Sequence, residues 1–420
     1  EYNLSLKRKY MSIEIKPITI EEFASRQLDF DCMNFQQSAE MALCQSARAV
    51  YLDTETVQIL KDGQFIGQSI INYRSIFRFF EEACILNGPL LDYSAMSKEE
   101  LKDVFYALQK YLRKKCDEIR INPPLVHFVL DDKLETMETL NENVKSAFDE
   151  LSFKNYVDRN CSESIDQIFV KSLKNYSSFD EISGELSSSF RSSIKKFSES
   201  CVKVREMGEN ELGDYYKIYS DTAERKHFPL QTEEYYVLLK KNFGDKAKIM
   251  GAFLDCREYE NYLSSNISMF EDKIAELELS KQSKKIKGQL NDARDRLRSF
   301  IKRKDDYHKL GISEDIILLS SYVLVCYGKE VIIMSGGSEE KYLNFGGSTL
   351  INWEMIRYAF ENGYERYNFH GTIETDQITK AKGNYHFKKN FGGNLQILLG
   401  SFIKNVNPIL SLIKRIRRVH

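Results

Sequence analysis

The segment of residues 257–308 constrains the fold more than any other part of this sequence. It is dense in charged residues, with one glycine and no proline, and its apolar residues follow mostly heptad-like spacing that is interrupted near residues 280–288. These apolar residues are Phe270, Ile274, Leu277, Ile286, Leu290, Leu297 and Ile301. The pattern predicts two helices packed antiparallel as a hairpin. One long solvated helix is the alternative, but its apolar stripe would stay in water.

The segments on both sides of this hairpin alternate between strand and helix patterns. We predict strands over 56–60, 65–73, 118–121, 168–170, 202–206, 316–327 and 330–335. We predict helices over 98–115, 190–200, 209–225 and 348–362. Because 420 residues exceed a usual single-domain core, these patterns indicate an α/β (α+β) fold with more than one domain.

The balance of charge excludes binding by overall charge alone. The sequence has 60 Lys and Arg against 62 Asp and Glu, so a nucleic acid or an anionic lipid must be held by a local patch. No run approaches the roughly 18 apolar residues that a membrane span requires, and the N-terminus lacks a continuous apolar signal core. We therefore expect a cytoplasmic protein. Met11 would suit a natural start, so residues 1–10 are left out of the fold prediction.

Cysteine and histidine usage narrows the chemistry. Eight cysteines are scattered without a CxxC pair, and no histidine cluster has metal-ligand spacing. Reduced thiols of a cytosolic protein show this pattern. Six histidines show no triad spacing, which argues against Ser-His-Asp or Cys-His nucleophilic catalysis. We expect neither a metal site nor a cofactor.

The most informative motif covers residues 367–393 and reads YNFHGTIETDQITKAKGNYHFKKNFGG. A strand at its start leads His370 and Gly371 into a polar loop, and Lys388 lies between aromatic residues just before a pair of glycines. A cation beside backbone that a ligand can approach closely suits a binding site. The alternative is an amphipathic strand over 385–391 with solvated lysines.

This motif and three others resemble the FemABX family. The order YNFxG, a variable loop and then GxYxFKxxFGG is similar to the family's C-terminal signature. Residues 328–369 resemble the family element by element, and the segment SDTAERKHF at 220–228 is similar to its T-x-x-R-x-x-F stretch. The charged hairpin lies where FemA-like members carry a coiled-coil arm. The likeness covers residues 13–408.

The resemblance implies a fold of two acetyltransferase-like (GNAT-like) domains with an antiparallel coiled-coil arm inserted in the second. We expect residues 11–163 to form the first domain, with segment 396–420 returning to it. The second domain would then cover 164–395, with the arm at 257–308.

The resemblance also implies an activity. Family members transfer an amino acid from aminoacyl-tRNA to an amino group of a peptidoglycan precursor, a lipid II-like muropeptide, and so build the interpeptide bridge. The expected partners are therefore aminoacyl-tRNA and that precursor, together with a Fem-like partner protein. Such an acyl transfer needs a deprotonated amine, a stabiliser for the oxyanion and cations for two polyanionic substrates.

The family pattern assigns residues in the C-terminal half. Lys388 takes the position of the signature lysine near the terminal adenosine of tRNA or the reacting carbonyl, and Phe387 supplies backbone or stacking contacts. Tyr385, in the same run, is assigned to substrate binding. Arg225 is expected to bind a phosphate of the muropeptide carrier, with Lys226 as its neighbour. The alternative for Arg225 is a helix-end arginine that complements the helix dipole.

The N-terminal half departs from the family pattern at two positions. Its Q-x-x-x-W motif is represented by Gln37 and Met41, so methionine stands where many members have tryptophan, and Arg48 offers a cation from a different position. Asn122 stands where relatives commonly carry a catalytic aspartate, and an amide cannot take a proton at neutral pH. Asp131 and Asp132 are the candidates to replace that aspartate.

The C-terminal sequence PILSLIKRIRRVH predicts a basic amphipathic helix. It places Ile409, Leu410, Leu412, Ile413 and Ile416 along one side, with lysine and arginine around them. Such a helix suits peripheral contact with an anionic membrane, here its inner face. A packed terminal helix with a solvated basic tip is the alternative.

Two other functions compete with aminoacyl transfer. An acyl-CoA-dependent N-acyltransferase should carry a Q/R-x-x-G-x-G/A turn after a strand, and no such run is present. A non-catalytic relative would bind tRNA, wall precursor or a partner transferase, or act as an immunity factor. Asn122 and Met41 favour this second alternative.

Overall fold

The computed structural model describes residues 12–156, 165–281, 283–371 and 382–417. The predicted start at Met11, the predicted boundary at 163–164 and the side chains of Arg417 and Arg418 lie outside the described residues.

The strands are β1 (Ile13–Pro17), β2 (Asp53–Lys61), β3 (Gln64–Ile76), β4 (Phe80–Leu86), β5 (Leu90–Leu91), β6 (Glu118–Asn122), β7 (Val126–Leu130), β8 (Thr136–Thr139), β9 (Lys154–Tyr156), β10 (Gln167–Ser172), β11 (Val202–Glu206), β12 (Ala247–Asp255), β13 (Ile316–Tyr327), β14 (Glu330–Ser338), β15 (Arg366–Gly371), β16 (Asn394–Leu398) and β17 (Ser401–Asn405).

The helices alternate with these strands, as the sequence pattern predicts. They are α1 (Ile20–Ala24), α2 (Ala39–Ser46), α3 (Lys98–Leu112), α4 (Glu142–Glu150), α5 (Phe179–Glu185), α6 (Ser188–Ser198), α7 (Leu212–Lys226), α8 (Glu233–Phe243), α9 (Cys256–Leu279), α10 (Lys284–His308), α11 (Gly347–Glu361), α12 (Lys382–Lys389) and α13 (Pro408–Arg417). Short 3-10 helices cover Phe35–Gln37, Glu209–Glu211, Gly244–Lys246 and Glu340–Phe345.

The first sheet has the strand order β1-β2-β3-β4-β6-β17-β9, with β5 paired to β3. Helix α3 covers one face of it and begins at a capping box formed by Ser97 and Glu100. The helix buries the apolar face that its three- and four-residue spacing predicts, namely Leu101, Val104, Phe105, Leu108 and Leu112. These side chains join the core under β2, β3, β4 and β6.

The second sheet has the order β11-β12-β13-β14-β15-β10-β16-β7-β8. The two sheets exchange chain segments. Strands β7 and β8 fall within the range predicted for the first domain, yet they pair with the second sheet, while β17 returns to pair with β6 and β9 of the first sheet. The exact division into domains therefore stays a proposal.

Helices α9 and α10 form the predicted hairpin arm. They run antiparallel, because Phe270 stacks on Phe300 with ring centroids 5.8 Å apart while Arg294 pairs with Glu278 at 2.6 Å nearer the tip. The outer part has a small apolar cluster of its own. At the root, Tyr259, Leu263 and Tyr307 are buried in the core of the second sheet, so the arm and that core are continuous.

The predicted fold class is confirmed, since the chain has a mixed α/β fold with an antiparallel helical arm. The strand considered for residues 385–391 is wrong, because residues Lys382–Lys389 form helix α12. In the described part of the chain no helix is both long and apolar enough to cross a membrane. The seven described cysteines are free thiols.

Candidate active site

A large cavity of about 1650 Å³ lies where the two sheets meet. Asn34, Gln36 and Tyr93 line it from the first half of the chain, and Arg225 and Lys388 line it from the second. Pockets for single small molecules span roughly 300 to 1000 Å³. This cavity therefore has room for parts of two substrates.

Two diverging strands open the cavity on the side of the second sheet. Strands β14 and β15 pair in parallel at Glu330, Val331 and Ile332 only. Beyond that point β14 follows β13 to Ser338, while β15 follows β10 to Gly371. The separation leaves backbone groups along the facing edges of both strands without sheet partners, and such groups need others when they are buried.

Lys388 supplies the hydrogen bonds for the free end of β15. Its Nζ donates to the carbonyl oxygens of Phe369 at 2.9 Å and His370 at 3.3 Å, and also to that of Gly371. The side chain comes from α12 and is 6% exposed. Burial lowers the pKa of Lys388 to about 7, while three carbonyl acceptors match the three N–H groups of the protonated form.

His370 lies at the cavity wall next to this lysine. Its φ of 60° is in the left-handed region, which non-glycine residues rarely adopt. Burial, and to a smaller extent the charge of Lys388, lowers the pKa of His370, while a hydrogen bond with the backbone of Met334 raises it. Burial is the largest effect, so the pKa of His370 falls to about 4. The imidazole is therefore neutral at physiological pH and is a weak base there.

A series of hydrogen bonds between polar side chains holds the left-handed backbone conformation of His370. The Asn368 side-chain oxygen accepts a hydrogen bond from the His370 backbone N–H at 2.8 Å. The Asn368 amide in turn donates to Glu330 at 3.3 Å, and Arg366 donates to the same carboxylate oxygen at 2.9 Å. This ion pair raises the pKa of Arg366. The side chains thus fix the end of β15 from both sides.

The start of helix α11 forms another wall. Its N-cap is Gly346, with a φ of 74° and no side-chain cap, and a Cβ at that position would come within 2.3 Å of the Phe197 ring. Hydroxyl groups of Ser338 and Ser348 hydrogen-bond beside it, and Tyr322 donates to Ser348 at 3.2 Å. Backbone N–H groups and hydroxyls therefore face the cavity where a polar substrate group would lie.

The predicted cations do not all lie in the cavity. Arg225 and Lys226, in the last turn of α7, line it. Arg225 donates to the Ser338 carbonyl at 3.2 Å and lies 3.6 Å from the exposed carboxylate of Glu340. Arg48 does not line the cavity but lies behind its wall. Its guanidinium donates a hydrogen bond to the side-chain oxygen of Gln231 at 3.0 Å, and its Cζ lies 4.7 Å from the centre of the Tyr235 ring. Gln231 and Tyr235 themselves line the cavity.

Several other predicted residues take structural positions. Gln37 is fully buried: its amide donates to the Leu86 carbonyl at 2.8 Å, and its oxygen accepts from Ile70 N–H at 2.8 Å. Asn122 is 2% exposed and donates to Ser401. Tyr385 packs edge-on against Phe169 in the core.

Phe387 does line the cavity, where its ring packs edge-on against that of Phe391. Met41 is fully buried in the core that includes Tyr236 of α8. Asp131 accepts hydrogen bonds from nearby backbone N–H groups, Asp132 lies 3.3 Å from Lys389, and neither lines the cavity. The two aspartates are therefore not placed to replace a catalytic carboxylate.

Two residues of the cavity wall, His370 and Gln36, are not among the predicted site residues. His370 carried a signal, since it directly follows the predicted strand, but its backbone conformation depends on Asn368 and Lys388. Gln36 is 8% exposed, and its side-chain oxygen has no hydrogen-bond partner among the described residues. The sequence gives no reason to prefer Gln36 to its neighbour Gln37.

Residues 18–416 match the model of the FemAB family. The chain belongs to the FemAB family. It is 27% identical over 336 residues to the aminoacyltransferase FemB of Staphylococcus epidermidis, covering 77% of this chain and 78% of FemB. It is 24% identical over 379 residues to the aminoacyltransferase FemA of Staphylococcus epidermidis strain RP62A, covering 85% of this chain and 88% of FemA.

A solved structure shows the same fold. The crystal structure of FemX superimposes with a TM-score of 0.72 at 19% identity, covering 95% of this chain and 99% of FemX. The FemAB membership and this superposition confirm the resemblance found in the sequence motifs. They also place Lys388 and Arg225 within the matched region.

Proposed function

We propose that this FemAB protein transfers an amino acid from aminoacyl-tRNA to an amino group of a lipid-linked peptidoglycan precursor. The observation that carries the proposal is Lys388, a buried lysine in the wall of a cavity that both sheets build, whose three carbonyl acceptors favour its protonated form. The relatives FemA and FemB are named aminoacyltransferases. We further propose that the reaction takes place at the inner face of the membrane, where a lipid-linked acceptor is found.

The reaction joins the acceptor amine to the carbonyl carbon of the aminoacyl ester. The amine nitrogen forms the new C–N bond, the carbonyl oxygen becomes an oxyanion, and the amine loses one proton. The C–O bond to the terminal ribose then breaks and the ribose hydroxyl takes up a proton. A preorganised cation in a desolvated site stabilises the oxyanion. Lys388 is bonded to three carbonyls, so it acts through its charge and by holding the β15 end in place.

The two substrates call for different groups. The precursor carries a diphosphate, and Arg225 presents a guanidinium fork at the cavity wall. Its existing partners are a backbone carbonyl and a carboxylate whose side chain is 70% exposed, so a phosphate can displace the latter at small loss. The Gln36 side-chain oxygen, which has no partner in the part of the chain that the structure describes, can accept a hydrogen bond from the acceptor.

The proposal is tested by supplying three donors separately to the full chain: charged tRNA, the free amino acid and an acyl-CoA. Each is mixed with lipid-linked precursor, and the acceptor is examined by mass spectrometry. A mass increase of one aminoacyl residue with charged tRNA alone supports the proposal. Transfer from acyl-CoA supports the N-acyltransferase alternative.

A second candidate function is non-catalytic binding, and one observation favours it. The sequence resemblance implies that Asn122 stands where relatives commonly carry a catalytic aspartate, and Asn122 is buried beside Ser401. An amide there accepts no proton. On this alternative the chain binds charged tRNA, the precursor or a Fem-like partner with normal affinity, but the acceptor mass does not change.

A further inference from the structure

Helix α13 buries a lysine and exposes several apolar side chains, which reverses the usual preference of these residues. Lys414 is 8% exposed and its Nζ bonds the buried carboxylate of Glu118, while Leu410 is fully buried. Ile409, Leu412 and Ile416 are 64%, 58% and 72% exposed. These three lie at i, i+3 and i+7 and form one stripe. The single apolar side predicted for this helix is therefore corrected, because part of it faces the sheet and most faces outward.

The ion pair fixes this orientation. Turning α13 to bury the stripe would separate Lys414 from Glu118 and leave a carboxylate buried without its partner, which is strongly unfavourable. Scattered exposed apolar residues are ordinary, but a contiguous stripe held outward marks an interaction surface.

The tip of the β3–β4 hairpin adds a second exposed apolar group. Phe79 is 86% exposed, and Arg78 beside it is also exposed. Phe77 and Arg78 have φ values of 48° and 70°, a left-handed turn that bulky residues rarely form. This tight turn directs an aromatic ring into solvent.

The helix and the hairpin tip lie at the same end of the first sheet. Asn405, shortly before α13, lies opposite Glu118 of β6. Glu118 lies opposite Glu82 of β4, and Glu82 is two residues from Phe80, where the hairpin tip begins. Two strand spacings of about 4.8 Å separate β17 from β4. Both apolar groups therefore lie at the same end of the first sheet, about two strand spacings apart across it.

We propose that the α13 stripe (Ile409, Leu412, Ile416) and the tip residue Phe79 form a docking surface for an anionic lipid bilayer. The inference deepens the proposed function, since a lipid-linked acceptor lies in such a bilayer. Arg78 and Arg415 flank the apolar groups, both are exposed, and neither has an ion pair within the described part of the chain. Unpaired arginines beside apolar side chains match anionic headgroups above acyl chains.

The same features argue against a second copy of the chain. Two copies meeting through this surface would bring arginines of like charge together. A stripe of three side chains and one ring is also small beside the roughly 1200 Å² that a stable protein interface buries. An anionic bilayer attracts the arginines, and docking to it does not require an interface of that area.

The test is vesicle flotation of the full chain without tRNA or precursor, so that its outcome does not depend on the proposed reaction. Phosphatidylcholine vesicles are compared with vesicles that also contain phosphatidylglycerol. The variants are the triple change Ile409→Ser, Leu412→Ser, Ile416→Ser, and the single change Phe79→Ser. The matched control is Leu279→Ser at the arm tip, where the leucine is 91% exposed. Thermal unfolding checks that each variant is folded.

We expect binding to the anionic vesicles only, at least about tenfold weaker partitioning for the triple variant, a smaller loss for Phe79→Ser and no change for Leu279→Ser. Equal binding of the triple variant and the unchanged chain would overturn the proposal. Absence of vesicle binding, together with a dimer that the triple variant abolishes in size-exclusion chromatography, would assign the surface to a second copy instead. An intact chain that binds neither vesicles nor itself would also overturn it.

Discussion

The side-chain nitrogen of Lys388 lies 3.3 Å from the backbone carbonyl oxygen of His370. That carbonyl belongs to a residue in left-handed backbone conformation at the end of β15. Because β15 has already separated from β14 at this point, the lysine takes over the role of a sheet neighbour. This contact therefore links the buried side chain of Lys388 to His370, whose imidazole is neutral, at the point where the two strands open the cavity.

Replacing Lys388 by methionine keeps the side-chain length and removes the charge. We expect the rate of the chemical step to fall by about 10² to 10³ if the charge stabilises the oxyanion, and the free energy of unfolding to fall by about 1 to 3 kcal/mol because three carbonyls lose their donor. Single-turnover kinetics and denaturant unfolding measure the two effects.

The matched control is Lys389→Met at the next position. Lys389 pairs with Asp132, whose side chain is 74% exposed, so its loss should change stability by less than about 1 kcal/mol. Equal losses in both variants would mean that position 388 has no special role.

The free energy of unfolding should depend on pH because His370 is buried. Its pKa is lowered from 6.5 to about 4 in the folded protein, so between these values the unfolded chain binds the proton and the folded chain does not. The free energy of unfolding therefore falls as the pH drops from 6.5 to 4, by up to roughly 3 kcal/mol from this group.

The variant His370→Asn removes this titration while tolerating the left-handed backbone. We expect its stability to depend less steeply on pH over the same interval, as measured by urea unfolding at successive pH values. Parallel curves for the two proteins would show that the imidazole titrates normally.

Gln36 and Gln37 form a natural pair of test and control. Gln37→Met should lower the free energy of unfolding by about 1 to 3 kcal/mol, because Ile70 N–H and the Leu86 carbonyl would be left buried without partners. Gln36→Met should leave stability unchanged and weaken precursor binding by about 1 kcal/mol. Isothermal calorimetry and thermal unfolding separate the effects, and a reversed pattern would contradict the assignment.

The outer arm should be removable. Replacing residues 271–299 by a short Gly-Ser linker keeps the stacked pair Phe270 and Phe300 and the buried root, so we expect a cooperatively folded protein. Replacing all of 257–308 should destabilise it, since Tyr259, Leu263 and Tyr307 leave the core. Circular dichroism with thermal unfolding distinguishes the two. An equally stable full deletion would contradict the continuity of root and core.

Local pattern predicted the elements that one segment can specify alone. The buried face of α3 and the break between α9 and α10 follow from the spacing of apolar residues, and both are confirmed. The exchange of β7 and β17 between the sheets depends on pairing partners far along the chain. No periodicity within a short strand contains that information.

The candidate site was predictable in part. The motif placed Lys388 near a ligand, but its burial depends on the divergence of β14 and β15, a property of two strands together. The orientation of α13 likewise depends on Lys414 meeting Glu118, 296 residues away in sequence. Long-range ion pairs of this kind leave no mark in a hydrophobic pattern.

The most direct test of the account is a single-turnover reaction of the full chain with radiolabelled aminoacyl-tRNA and lipid-linked precursor, followed by separation of the lipid fraction. The account predicts that label moves to the precursor as an amide, and that Lys388→Met slows this transfer while Lys389→Met does not. Label that stays on tRNA, or is released only as free amino acid, with both substrates bound to the unchanged chain, would contradict it.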